Sequence, residues 1–318
     1  MSGVCRGAGA IIAMAIAMGA ALIPTPRAAA EAAAVAQRAF ASPEEAVQAL
    51  EAATKVHDKA ALRGIFGPEV HDLLTGDERQ DKANSRSFAK AIAEGVKPVS
   101  EGDARIILEI GSNKWPFPIP LVKEDAAWRF DTAAGKEEII NRHIGKDELY
   151  AIGVCETYVQ AQKQYAGSGR GASAAGRYAR RLKSTPGKMD GLYWKSSPDQ
   201  TPGLIGAKVA EAEVDGTDGS AAKPFHGYFF KVLTLQGAAA PGGMIDYMKG
   251  GSLTGGFALA AYPEHWGRSG IMTFIVNQDG RIYQRDFGEK TQQAAAAMIE
   301  YEPDGDWTPV KDPGVIEK

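Results

Sequence analysis

Residues 253–287, LTGGFALAAYPEHWGRSGIMTFIVNQDGRIYQRDF, decide how this chain is read. Ile271–Val276 is a continuous apolar run, and Arg281–Asp286 sets Ile282 and Tyr283 among polar residues. Between them, Asn277-Gln278-Asp279-Gly280 gathers residues that tolerate tight or left-handed backbone, which predicts a β-hairpin. Upstream, Phe225–Leu235 and Leu253–Ala261 predict further strands, and Thr291–Ile299 predicts a closing helix. The C-terminal half is therefore expected to be an antiparallel meander of at least four strands.

Ahead of the meander, Asp147–Tyr165 has helical spacing, with Leu149, Ile152, Cys155 and Val159 along one apolar stripe. Ala166–Gly176 (AGSGRGASAAG) lacks periodicity and reads as a flexible loop, as does Gly216–Ala222; Leu204–Ala212 predicts a short helix. Nearer the N-terminus, Ser42-Pro43-Glu44-Glu45 has the form of a capping box before a helix. A second helix follows from Asp58, ending at Gly67-Pro68, and a third includes Ser87–Ala93. The pattern then changes to period two, with strands expected over Arg105–Ile110, Phe117–Lys123 and Ala127–Asp131.

Helices followed by a curved sheet is the order of an NTF2-like α+β cone, and a long helix followed by a meander is the layout of a pilin-like domain. The expected fold class is thus α+β, with an NTF2-like domain over 42–145 and a pilin-like domain over 146–312. Residues 1–30 read as a signal peptide, 31–41 as a flexible leader and 313–318 as a tail.

The signal peptide rests on Arg6, an uncharged apolar stretch over Ala8–Ile23, and Ala28-Ala29-Ala30 after Pro24 and Pro26. That stretch is shorter than the ~20 residues of a spanning helix, which favours cleavage over retention as an anchor. A periplasmic location follows. Of 36 basic residues, loss of Arg6 and Arg27 leaves 34 against 39 acidic, a net charge of −5. A mildly acidic chain without a basic block is no candidate for nucleic-acid binding. Cys155 would be the single remaining cysteine, so an oxidising compartment adds no internal disulfide.

Several strings carry a family resemblance. They are Trp115-Pro116-Phe117-Pro118-Ile119-Pro120-Leu121, Trp128-Arg129-Phe130-Asp131-Thr132-Ala133-Ala134-Gly135, Ser184-Thr185-Pro186-Gly187-Lys188 and Asp190-Gly191-Leu192-Tyr193-Trp194. With His226-Gly227-Tyr228, Gly255-Gly256-Phe257-Ala258-Leu259 and the 271–287 hairpin, they resemble the DUF2950 family of exported bacterial proteins of unknown function. The resemblance implies no activity, catalytic residue or cofactor. A more local one, of Glu156–Ala166 and Gly270–Arg281, is to the globular heads of type IV pilins and pseudopilins.

Chemistry is sparse. The five histidines (57, 71, 143, 226 and 265) show no metal-ligand spacing, and no metal or cofactor is expected. Gly187-Lys188 lacks the upstream glycine and following Ser/Thr of a phosphate loop and reads as a turn. Ser269 lacks the second glycine of a nucleophile elbow. Asp304-Gly305-Asp306 offers too few oxygens for calcium. What remains is aromatic: Tyr193 and Trp194 beside Asp190, with Tyr262, His265 and Trp266 around Pro263. The sequence favours a non-catalytic envelope interaction or assembly protein. An alternative is small-ligand binding in the cone of the first domain, lined by Trp115, Phe117 and Trp128. Another is an envelope hydrolase using His226 or His265. The candidate ligand or partner surface comprises those residues and Tyr228, and the expected partner is an envelope protein or a small apolar ligand, with no membrane contact after cleavage.

Ala28 and Ala30 occupy the small-residue positions before a cut, so the exported chain should begin at or near Glu31. Intact mass of the periplasmic protein checks this, and retention of residues 1–30 would sink it.

Overall fold

The computed structural model describes residues 37–73, 78–168, 176–196, 202–214 and 221–311. The signal peptide, residues 31–36 of the leader, residues 169–175 and 216–220 of the two expected loops, and the tail lie outside the described residues. The chain is α+β. It divides into two compact units, Met1–Pro116 with Leu121–Thr132, and Phe117–Pro120 with Ala133–Lys318.

In the first unit, Ser42 Oγ accepts from Glu45 N at 3.2 Å and Pro43 opens the first turn, so α1 spans Pro43–Lys55. Asp58 accepts from the N–H groups of Ala60 and Ala61, both at 3.0 Å, and starts α2, Lys59–Phe66. The third helix, α3, spans Glu78–Glu94. The sheet follows as β1 (Val96–Ser100), β2 (Arg105–Ile110), β3 (Trp115–Pro116), β4 (Leu121–Glu124) and β5 (Ala127–Phe130). Its order is β1-β2-β4-β5, with β3 paired to β2. Strand β1 was not expected because Pro98 sits within it; as an edge strand, it tolerates the missing donor.

The strand expected over Phe117–Lys123 begins only at Leu121. Pro116, Pro118 and Pro120 have no N–H to give a ladder, and Phe117–Pro120 belongs to the second unit instead. The first unit closes over Leu50, Ile65, Leu108 and Leu121, with Phe130 edge-on to Phe66 at 5.1 Å and to Phe40 at 6.3 Å.

The helix expected at Asp147 starts at Thr132 and forms α4, Thr132–Ser168, so position 145/146 lies inside it. Next come α5 (Ala207–Glu211), β6 (Tyr228–Leu233), β7 (Leu235–Gln236), β8 (Ile245–Asp246), β9 (Met248–Lys249) and β10 (Ser252–Leu253). The chain continues through β11 (Ala258–Pro263), β12 (Met272–Asn277), β13 (Ile282–Asp286), α6 (Thr291–Ala297), β14 (Glu300–Tyr301) and β15 (Thr308–Pro309). The main sheet has the order β15-β13-β12-β11-β6, all antiparallel.

The predicted hairpin is β12–β13. Gly280 takes φ +82° and closes the turn by donating to Asn277 O at 3.0 Å. One face of the sheet, with Phe230, Leu259, Phe274 and Val276, packs on Ala151, Cys155, Tyr158 and Val159 of α4. The opposite face, with Leu233, Ala260 and Ile275, is covered by Tyr247, Tyr301 and Trp307. Strand β11 is buried along its whole length, which suits its small, apolar ALAAYP sequence.

Two expectations change. Leu149 is 48 % exposed rather than part of the buried stripe. Six residues before Cys155, it stands roughly 120° around the helix from it. His226 was expected within a strand, but β6 starts at Tyr228 and leaves it in the preceding turn.

Cys155 is fully buried, and burial, with a smaller contribution from Glu156, pushes its thiol up to about 12. A thiol reagent should leave the native protein unmodified and label it stoichiometrically in denaturant. Rapid native labelling would contradict the packing of α4 on the sheet.

Candidate functional site

The turn Phe225-His226-Gly227-Tyr228 is the starting point. Phe225 N donates to Tyr228 O at 2.9 Å and Tyr228 N donates back to Phe225 O at 3.1 Å. His226 has φ +46° and Gly227 φ +68°, the backbone of a type I′ turn. Asn-Gly or Asp-Gly fits that turn with least strain; a histidine in the left-handed region costs roughly 1–2 kcal/mol. Strain of this kind collects where a side chain must be presented in one particular place.

The turn is held by close contacts. A Cβ on Gly227 would stand 2.5 Å from Ser269 Cβ and 3.2 Å from Asp147 Oδ2, so only glycine fits. Gly227 O accepts from Glu264 N at 2.8 Å. Tyr228 is buried and its hydroxyl donates to Met272 O at 2.8 Å, with its ring over Gly270. Glu148 Oε1 accepts from both Ile271 N and Met272 N at 2.9 Å, tying α4 to the start of β12.

Asp147 lies at the centre, its side chain 3 % exposed. Oδ2 is 3.1 Å from His143 Nε2, one helical turn earlier, and Oδ1 is 3.9 Å from His226 Nδ1. Burial raises the Asp147 pKa above the ordinary aspartate value, outweighing the attraction of His143, His226 and Lys146. The His226 imidazole lies flat on the Tyr150 ring, centroids 3.7 Å apart at 12°, and edge-on to Phe225 at 4.5 Å.

The same two rings wall a groove of about 340 Å³. Leu149, Val154 and Tyr158 line it from α4, and Leu182, Ile205 and Val209 line it from the segment between α4 and β6. Leu149 and Tyr150 are 48 % and 41 % exposed at its edge. On α4, His143, Asp147, Tyr150, Val154 and Thr157 follow at spacings of four and three and so share one stripe. The buried carboxylate and the groove are therefore adjoining parts of one helix face.

The sequence-derived candidates are scattered. His226 and Tyr228 belong to the turn just described. Trp115 is exposed on β3; Trp128 is buried in β5, with Lys123 Nζ 6.0 Å from its ring centre; Phe117 is buried in the second unit. None of the three lines the groove. Trp194 is buried, and Tyr193 is half-buried against the α4 face of the core.

The strings around those two residues lock a loop together. Tyr193 N donates to Leu182 O at 2.7 Å, and a Cβ on Gly191 would come within 2.7 Å of the Lys183 and Ser184 backbone. Asp190 accepts from Thr185 N and Oγ1 at 2.8 and 2.9 Å. Burial opposes ionisation of that carboxyl, but these bonds and Arg181 outweigh it and lower its pKa. Gly187-Lys188 is a turn, with Lys188 N donating to Thr185 O at 2.9 Å.

His265 is exposed, and Ser269 Oγ is engaged with its backbone, accepting from N at 3.0 Å and donating to O at 3.2 Å. Tyr262 is buried against Phe229, while exposed Trp266 donates Nε1–H to Asp286 at 2.8 Å. Asp304 and Asp306 lie 3.8 and 2.7 Å from Arg285. Among the described residues no group of three or more His, Cys, Asp or Glu could hold a metal ion.

Sequence reasoning missed Asp147, His143 and Tyr150. The signal was present as His143-x-x-x-Asp147, two polar residues one turn apart, but solvent-facing pairs of that spacing are common on any helix. A family model described as "Protein of unknown function (DUF2950)" matches residues 37–310. No curated protein and no solved structure matches the chain.

A carboxyl whose folded pKa is raised stabilises the fold below its unfolded pKa and gives that up as pH rises through the folded value. Asp147→Asn removes the buried charge, so it should raise Tm at pH 7.5, and the difference should vanish near pH 3. Thermal melts of both proteins across pH check this; a Tm deficit at pH 7.5 would show the carboxylate to be a net stabiliser.

Proposed function

Because the chain belongs to the DUF2950 family, whose function is not known, we propose a role from the second unit itself: a periplasmic protein that binds a small apolar ligand in the groove along α4. The groove carries this reading. Its volume of about 340 Å³ suits a compact ligand, and its lining is mostly aliphatic and aromatic, with Thr157 among the few polar side chains. Leu149 and Tyr150 keep apolar surface in water where burial against α4 or the sheet would remove it, a cost that an occupant offsets. This reading locates the ligand along α4, whereas the sequence reading located it among Trp115, Phe117 and Trp128.

The export half of the reading is supported by the charged, apolar and small-residue order of residues 1–30. Helices before a sheet in the first unit support an NTF2-like description, and α4 packed on a meander supports a pilin-like one. An apolar side chain of an envelope protein is the second reading for the groove, favoured by the adjacent exposure of Leu149 and Tyr150.

The mature protein should enhance the fluorescence of N-phenyl-1-naphthylamine with saturation. Leu149→Glu, a change at an exposed position, should weaken that binding about tenfold or more by placing a charge against an apolar occupant. Equal titration curves for the two proteins would remove the groove as the site.

A further inference from the structure

We propose that His226 is the general base of a hydrolytic site at the mouth of the groove, with Asp147 as its positioning residue and carboxylic esters of small apolar groups as the substrate class. The proposal rests on the groove-binding reading and adds chemistry to it.

The first argument is which nitrogen faces what. His226 Nδ1 is the atom 3.9 Å from the buried Asp147 carboxylate, and Nε2 has no hydrogen-bond partner among the described residues. The side chain is 37 % exposed although Tyr150 covers one ring face. The Asp147 carboxylate, held at 3.1 Å by His143, lies near one imidazole nitrogen of His226 and favours the proton on that side, which leaves Nε2 to accept one.

The second argument is the strain. The turn would be made with less strain by Asn at position 226. Its ring is fixed from three directions, by the left-handed backbone, by the Tyr150 stack and by the edge of Phe225. The third argument is place. Tyr150 and Phe225, which hold the imidazole, also wall the groove, so an occupant rests against the same rings.

Water is the nucleophile, because Ser269, the hydroxyl beside Gly227, spends its Oγ on the His265 backbone. Nε2 of His226 takes a proton from a water molecule as its oxygen bonds to the ester carbonyl carbon. The carbon–alkoxy bond then breaks, and the imidazolium returns the proton to the leaving alkoxide. The net change is ester plus water to acid plus alcohol, with no oxidant or reductant. The Asp147 charge stabilises the imidazolium; His143, Lys146 and Glu148 are the other charge-bearing groups beside Asp147 on α4. An apolar lining selects a neutral substrate, and the more electrophilic ester carbonyl with its better alkoxide leaving group favours esters over amides for a single histidine base.

The test uses the mature full-length protein with p-nitrophenyl butyrate from pH 5 to 9, and N-phenyl-1-naphthylamine as an independent binding probe. The wild type should exceed the protein-free rate and gain activity with pH through one ionisation. His226→Asn, which suits the turn and keeps the fold, should lower kcat by about 100-fold with probe affinity within about twofold of wild type. Asp147→Asn should displace the pH profile and lower kcat about tenfold, and Trp266→Phe should change neither. Wild-type turnover no faster than buffer while the probe binds, or His226→Asn at the wild-type rate, overturns the hydrolytic proposal and leaves the groove reading standing. Failure of the wild type to bind the probe overturns the groove reading and this proposal with it.

Discussion

The burial of one face of α4 against the main sheet is the contact on which the second unit depends. Ala151, Cys155, Tyr158 and Gln162 are buried there, and even the polar members are satisfied: Tyr158 donates to Ala258 O at 3.2 Å. Gln162 bonds Ala179 in both directions, at 2.8 Å each way. Once that face is fixed, helical geometry fixes the others. The stripe carrying His143, Asp147, Tyr150 and Val154 must then run along the flank, where the turn before β6 meets it. The α4 members of that flank are placed by a rigid element, while His226 comes from the turn before β6.

Much of what looks functional in the sequence is structural once side chains are seen. Glu213 is buried and accepts from Leu182 N and Lys183 N at 2.8 and 2.9 Å, pinning the segment that follows α4. Gln236 accepts from Tyr247 at 2.6 Å and donates to Pro241 O and Gly243 O, so a polar residue in the second core layer leaves no unmet need. In the string Asp190–Trp194, backbone segments approach Gly191 so closely that a side chain there would clash. Aromatic residues in loops are a weak sign of binding for the same reason: Trp194 and Tyr262 close over a core.

Asp147 and His226 differ from these. One is a carboxyl buried against its preference for water, and the other occupies backbone that favours asparagine or glycine. The two meet on the flank of α4 that also contributes to the groove. Proteins tolerate such local costs where a site needs its groups held in advance, which separates this pair from exposed ion pairs such as Arg38–Glu45.

The sequence alone determined the α+β class, the caps of α1 and α2, strand β2 to the residue, and the β12–β13 hairpin with its turn at Gly280. These rest on short-range rules: a hydroxyl or carboxylate reaching the next free N–H groups, period-two burial, and a glycine where φ is positive. Family membership was also legible, through rare strings in order. The sequence did not show that α4 begins at Thr132, since Gly135 and the polar turns after it hide a helix held by packing at Ile119. Nor did it show the site. His226 and Asp147 lie 79 residues apart in the chain, and a lone histidine before an apolar run has the same local signature whether it faces solvent or a carboxylate. Only folding the turn against α4, through a contact that Gly227 alone permits, brings them together.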